Sequence, residues 1–334
     1  RSLPMPQSVT RLEQQIRSQP EELDRIAASH EVRDQVRSVV EGLHRARRIW
    51  VVGTGTSQHA AVLGALMIQE TGRSALAISS MQFVGWAPNV GPQDAIIVIS
   101  HTHETAYAMA ARALAFNAGM HVITITRTGA SFPDAIATVA KETSETYTVS
   151  YTATLLVLAM LAGTLGAESY SADTLALVPG AVRNAIEAPG IEDVPTPERL
   201  LVIAGVGHAA ITAREGALKV REAARQLAEG YDAEYLLHGG AVPLGSRDRL
   251  LTISPPDLDG FLGALGDAAR AEGVGVSHLH EPAPLPPLLA QIPLTARLQM
   301  LALRIAAERG QNPDTVITGA WANEALWALG APAR

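Results

Sequence analysis

At 334 residues, 47% hydrophobic and 18% charged, the chain is long enough for two ordinary domains or one duplicated core, and apolar enough to bury either. A formal net charge of −7, with no basic run beyond the one between Arg45 and Arg48, leaves no electrostatic footprint for nucleic acid. The absence of cysteine excludes a disulfide scaffold, thiolate catalysis and cysteine-ligated zinc or iron–sulfur centres.

The N-terminus has no charged head followed by an apolar signal core, so a cytoplasmic protein without a membrane partner is expected. In "SQPEEL", Ser18 as N-cap, Pro20 in the first turn and Glu21 three residues after the cap predict a helix start, which makes residues 1–47 a helical lead-in. Residues 48–167 then alternate. "RRIWVVGTGTSQHAAVLGALMIQETG" passes from apolar run to glycine turn to helix, and the strand theme recurs at "SALAISS", "AIIVIS" and "HVITIT". The uncharged stretch from Thr146 to Gly166, diluted by Ser, Thr and Tyr, predicts a core helix rather than a membrane span. A linker is expected over 168–198, with further helix in "DTLALVPGAVRNAIEA".

Residues 199–310 repeat the first theme. "RLLVIAGVGHAAITAREGALKV" matches the first strand, glycine loop and helix, with Val202 standing where Val51 stands. "RLLTISPPDLDGFLGALGDAARAEG" matches "DAIIVISHTHETAYAMAARALAFNAG" at a similar offset, as a duplicated unit should. The fold class predicted is α/β: two tandem units, each a parallel sheet flanked by helices, followed by a tail at 311–334 that closes the site.

Open α/β sheets bind ligands beyond the carboxyl ends of their strands, where helix N-termini expose unpaired amides. Ser100, Thr102 and Thr105 put three hydroxyls there, suited to phosphate oxygens or to ordinary helix capping. The second copy has Pro255, Pro256 and Asp257 instead. "GTGTSQ" offers a second such turn with Thr56 and Ser57, but it lacks the third glycine of a dinucleotide fingerprint and the Gly-Lys-Ser/Thr of a P-loop. His101 and His103 have no third ligand at metal-binding spacing, so neither metal nor cofactor is expected. Only two lysines occur, Lys141 and Lys219. On a helix, Glu215, Lys219, Glu222 and Gln226 form one stripe, which fits either a solvated salt-bridge face or a reactive cluster at the sheet's carboxyl edge. Unlike arginine, lysine can lose its proton when desolvated.

In order along the chain, "IRSQP", "GTGTS", "SHTHET", "EGALKVRE" and "EYLLHGG" resemble "IYEQP", "CGTS", "SQSGET", "EGALKLKE" and "GELKHGP" of the isomerase half of glucosamine-6-phosphate synthase, and more broadly the double-SIS (sugar isomerase) sugar-phosphate proteins. His238 follows Glu222 by sixteen residues, as in the family. The resemblance implies two flavodoxin-like SIS units and a hexose 6-phosphate site. Ser100, His101, Thr102 and Thr105 would hold the phosphate, with Thr56, Ser57, Val149 and Ser150 completing the substrate-binding set. It further implies that Glu222 moves the proton between C1 and C2, and that Lys219 and Glu215 surround the reacting carbons. His238 would open the sugar ring from the neighbouring subunit of a homodimer. Within this chain there is no glutaminase cysteine, His103 replaces the glycine of "SQSGET", "KHGP" has become "LHGG", and the tail "TVITGAWANEALW" lacks the family's Schiff-base lysine, whose position falls on Thr318 or Gly319. These departures point from the synthase toward an amino-sugar-phosphate isomerase/deaminase, a fructosamine-6-phosphate deglycase, or a sugar-phosphate sensor without chemistry.

Overall fold

Thr10, not Ser18, caps the first helix. Its hydroxyl accepts a hydrogen bond from the Glu13 amide (3.1 Å), so a Thr-x-x-Glu version of the same signature sets the helix start eight residues earlier than expected. Ser18 lies inside the helix and donates to the Gln15 carbonyl (2.9 Å). Pro20 is also internal, and its missing N–H is replaced by the Gln19 side chain, whose Nε2 donates to the Ile16 carbonyl (3.0 Å).

The structure is a computed structural model describing residues 9–86 and 89–330. The first sheet contains β1 (Arg48–Gly53), β2 (Ala75–Ser79), β3 (Asp94–Ile99), β4 (His121–Thr126) and β5 (Ala135–Ala137) in the order β2-β1-β3-β4-β5. The second contains β6 (Leu201–Gly205), β7 (Ala228–Asp232), β8 (Arg249–Ser254) and β9 (Gly275–His280) in the order β7-β6-β8-β9. Every pairing is parallel. The helices are α1 (Arg11–Ala28), α2 (His30–Arg45), α3 (Thr56–Gln69), α4 (Ser80–Trp86), α5 (Ala106–Asn117), α6 (Val149–Thr164), α7 (Ala172–Leu175), α8 (Val178–Glu187), α9 (Ala209–Ala224), α10 (Ala233–Tyr235), α11 (Phe261–Ala271), α12 (Gln291–Glu308) and α13 (Glu324–Ala328). The α/β architecture read from the alternation is the one observed.

The two units share their turn chemistry. A Cβ on Gly53 would stand 2.4 Å from the Ser57 carbonyl oxygen, and one on Gly205 2.6 Å from the Ala209 backbone, so both turns close only on glycine. At the other end of the sheets, buried Asp94 accepts from Gly91 N–H (3.1 Å) and from Arg47 and Arg48, while buried Asp248 accepts from Gly245 N–H (2.9 Å) and Arg199. Superposing the paired glycines puts Ile203 opposite Val51. The expected partner, Val202, is one residue out because an apolar run carries no mark of its own register.

One continuous core joins the units. α6 is buried from Val149 through Ala162, as its uncharged sequence predicts, and it packs against α1 and α3. α3 also touches α9, and α12 covers α9. Those contacts bring the carboxyl end of the first sheet against the second unit. Among the described residues, no helix is long and apolar enough to cross a membrane.

Candidate functional site

The turn after β1 and the loop after β3 open on one cavity of about 710 Å³. Thr56 and Ser57 line it from the start of α3, and Ser100, His101, Thr102 and Thr105 from the loop before α5. Ser150 lines it from α6 and Glu222 from α9, and the tail contributes Val316, Ile317, Glu324 and Trp327. The hydroxyl cluster of one unit and a carboxylate of the other therefore face the same space.

Capping does not consume most of these hydroxyls. Thr105 is the N-cap residue of α5 but makes no side-chain cap bond, and Ser100 Oγ is buried without a partner in the fold. Thr102 does make a local turn, accepting from Glu104 N–H (3.2 Å). His101 Nε2 accepts from Glu142 N–H (3.0 Å), which leaves Nδ1 as the protonated nitrogen, buried and unpartnered. Burial, reinforced by Arg127, Lys141 and His103, lowers the imidazole to about 4, so His101 offers the cavity a neutral N–H donor at ordinary pH. In the second unit the corresponding Ser254 hydroxyl is engaged by His278 Nε2 (3.1 Å) and His280 Nδ1 (2.9 Å).

His103 does not line the cavity. Its φ of +49° explains the glycine at this place in the resembling motif, since the loop needs a left-handed residue. A histidine there costs about 1–2 kcal/mol of backbone strain. Its ring sits edge-on to Phe132, its centroid 5.7 Å away.

Beneath the cavity lies an ionic cluster. Glu215 and Lys219 are both fully buried, which removes the solvated-face reading of the stripe. Lys219 Nζ donates to Glu222 Oε2 (2.5 Å) and Thr56 Oγ1 (3.0 Å) and lies 3.5 Å from Glu215 Oε1. Glu215 also accepts from Thr56 Oγ1 (3.2 Å), and its other oxygen is 2.6 Å from His59 Nδ1. Burial alone would lower the lysine's pKa, but Glu222 and Glu215 outweigh it and hold the ammonium protonated. Burial likewise pushes the Glu215 carboxyl up, and Lys219 and His59 override it, leaving it low. For Glu222 burial wins over Lys219, and its pKa is raised. Gln226 is not part of the stripe: α9 ends at Ala224, Arg225 turns left-handed (φ +48°), and Gln226 Nε2 donates to the Arg199 carbonyl (2.7 Å).

Besides cavity-lining residues such as Tyr147, Tyr151 and Glu145, two residues around the ionic cluster escaped the sequence reading. His59 lies one helical turn after Gly55, in "GTGTSQH", and its role depends on a residue from the other unit. Glu142 is buried, and its carboxylate accepts from the Thr148 and Ser150 amides (3.0 and 2.7 Å), capping α6; an acid shortly before an uncharged helix was the available signal. Val149 is buried in the core and does not line the cavity. His238 is exposed and absent from the lining, in a kinked segment where Gly239 has φ +118°. Thr318 and Gly319 also do not line it. Glu145 Oε2 fixes the tail by accepting from the Val316 and Ile317 amides (2.6 and 3.1 Å). Among the described residues, no group of three His, Cys, Asp or Glu is placed to hold a metal ion.

Residues 42–163 match the SIS domain family. Glutamine–fructose-6-phosphate aminotransferase [isomerizing] of Pyrococcus horikoshii is 30% identical over 311 residues, covering 83% of this chain and 51% of that protein. The Thermococcus kodakarensis protein of the same name is 27% identical over 323 residues, covering 86% and 54%. The chain thus spans about half the length of the curated relatives it matches. Among solved structures, tagatose-6-phosphate ketose/aldose isomerase from Escherichia coli superposes with a TM-score of 0.79 at 20% identity, covering 92% of this chain and 96% of that one. The C-terminal domain of glucosamine-fructose-6-phosphate aminotransferase from Francisella tularensis gives 0.78 at 18%, covering 91% and 98%. Glucosamine-6-phosphate deaminase from Thermotoga maritima gives 0.76 at 19%, covering 92% and 97%.

Proposed function

We propose that this chain, whose residues 42–163 match the SIS domain family and which is similar to glutamine–fructose-6-phosphate aminotransferase [isomerizing] over about half of that protein's length, interconverts aldose and ketose forms of a hexose 6-phosphate or amino-hexose 6-phosphate at C1 and C2. The observation that carries this reading is the single cavity lined both by the hydroxyls of Thr56, Ser57, Ser100, Thr102 and Thr105 and by Glu222. The hydroxyls of Ser57, Ser100, Thr102 and Thr105 and the neutral His101 N–H suit phosphate oxygens at one end, whereas the Thr56 hydroxyl is taken by Glu215 and Lys219. A partly desolvated carboxylate with a raised pKa suits proton transfer at the other.

Aminotransfer through a Schiff base is disfavoured by the same geometry. The tail residues lining the cavity carry no amine, and Lys219 is kept charged between two carboxylates, so its nitrogen has no free lone pair for addition to a carbonyl. In deuterated buffer, glucose 6-phosphate, fructose 6-phosphate or glucosamine 6-phosphate should acquire deuterium at C1 or C2, with ammonia released if deamination accompanies isomerisation. Binding without exchange on all three would replace the isomerase with a sensor.

His238 belongs to this proposal as the ring-opening group of a homodimer, acting on the neighbouring subunit's cavity. In support, it is exposed and outside its own cavity, and Tyr235, Leu237 and Val242 around it present 66%, 52% and 84% of their surface to solvent. Mixing inactive Glu222→Gln and His238→Ala chains after dissociation should then restore about a quarter of wild-type turnover, by statistical pairing into dimers with one intact site. No recovery would show that His238 does not act on the neighbouring subunit's cavity, and wild-type turnover by the His238→Ala chain alone would place it outside the reaction.

A further inference from the structure

A buried phenol faces the same cavity and has no part in the fold's hydrogen bonding. Tyr151, on the first turn of α6, is 2% exposed, lines the cavity, and its hydroxyl has no partner. Buried hydroxyls nearly always find partners, so one left unpaired at a cavity wall is a donor kept for something that enters the cavity. Its helix is locked: Glu142 holds the amides of Thr148 and Ser150 on either side of the α6 start, and the helix is buried along its length. The ring is thereby held rigidly among the residues lining the cavity that Glu222 also lines.

Resting on the isomerase reading, we propose that Tyr151 is a catalytic residue, its O–H donating a hydrogen bond to the sugar oxygen that gains charge as Glu222 removes the proton from the adjacent carbon. The step balances within the substrate. Glu222 takes the proton from the carbon next to the carbonyl, the C–H electron pair becomes the C1–C2 double bond, and the carbonyl π pair moves onto oxygen, where Tyr151 meets it. Glu222 returns the proton to the neighbouring carbon while the hydroxyl proton passes between O2 and O1, completing the exchange. This role requires a neutral donor. Burial, with Glu215 adding to it, raises the phenol's pKa and keeps it protonated. It also supplies a carbonyl-polarising group in a cavity whose lining contains no lysine.

The test is Tyr151→Phe in the full chain, which keeps the ring and removes only the hydroxyl. Expected are a fall of about 10²-fold in kcat for C1/C2 hydrogen exchange, as for loss of one oxyanion donor, an affinity for inorganic phosphate within twofold of wild type, and an unfolding midpoint equal to or above wild type, because the lost hydroxyl bonds nothing in the fold. A lowered midpoint would give the hydroxyl a structural partner and overturn the assignment. So would exchange persisting within threefold of wild type. Absence of exchange by the wild-type protein would instead remove the isomerase reading, and this assignment with it.

Discussion

Replacing Glu222 with glutamine should lower C1/C2 hydrogen exchange by about 10²–10⁴-fold, the usual contribution of a positioned general base. Four carboxylates line the cavity, and three have other engagements or settings. Glu104 is paired with Lys141 (2.9 Å), Glu145 holds the tail amides, and Glu324 lies in the first turn of α13 with its side chain in solvent. Glu222 alone comes from the second unit, and it keeps 22% of its side chain exposed while one oxygen contacts Lys219. That geometry leaves its other oxygen free to work as a base. Glutamine preserves the shape and can still accept from Lys219, and Glu215 continues to balance the ammonium. Folding should therefore survive, and with phosphate proposed to sit on the first unit's hydroxyls, its affinity should change by no more than about threefold. Exchange retained within tenfold, in a variant with a wild-type unfolding transition, would remove Glu222 from the reaction.

Lys219→Met should destabilise the protein by about 3–5 kcal/mol at neutral pH, the typical consequence of removing one partner from a buried ion pair. Methionine fills much of the lysine volume, so the loss is electrostatic. Glu215, fully buried, loses its principal cation, and Glu222 and Glu142 lose one as well. The pH dependence carries the sign. In the wild-type protein Glu215 is held below the usual carboxylate value, so its stabilisation is present above about pH 4.3 and is lost as pH falls through its lowered value. In the variant, burial is no longer opposed by Lys219 and the carboxyl moves upward. It is then best accommodated protonated, and stability is lost as pH rises above about 4.3. The gap between the two proteins should accordingly widen from pH 5 to pH 7.5 in denaturant titrations. A gap below about 1 kcal/mol at pH 7.5 would mean that the cluster is not the buried network described here.

Strands of the sheet interiors showed in the sequence, and of the edge strands β2 ("ALAIS") showed as well because it stays largely apolar. β1, β3, β4, β6 and β8 run as apolar stretches because helices cover both faces. β7 ("AEGYD") and β9 ("GVSHLH") are edge strands, half in solvent, and their polar residues erase the pattern. The Thr-x-x-Glu cap at Thr10 was present in the sequence, but Pro20 drew the helix start to Ser18, because nothing local reveals that Gln19 supplies the missing donor.

By itself, the sequence determined the α/β repeat, the placement of Thr56, Ser57, Ser100, Thr102 and Thr105 after strand ends, and the common face of Glu215, Lys219 and Glu222. All three follow from local periodicity: period two or apolar continuity for strands, 3.6 for the helix. Tertiary structure alone decided that this face is buried, that His59 and Thr56 of α3 meet Glu215 and Lys219 of α9, that Glu142 turns back onto α6, and that the Tyr151 hydroxyl is left unpaired. His59 and Glu215 are 156 residues apart. Whether a charge on a helix faces water or a neighbouring unit depends on how the two sheets pack, and that packing is fixed by the summed apolar contacts of α3, α6, α9 and α12 rather than by any motif along the chain.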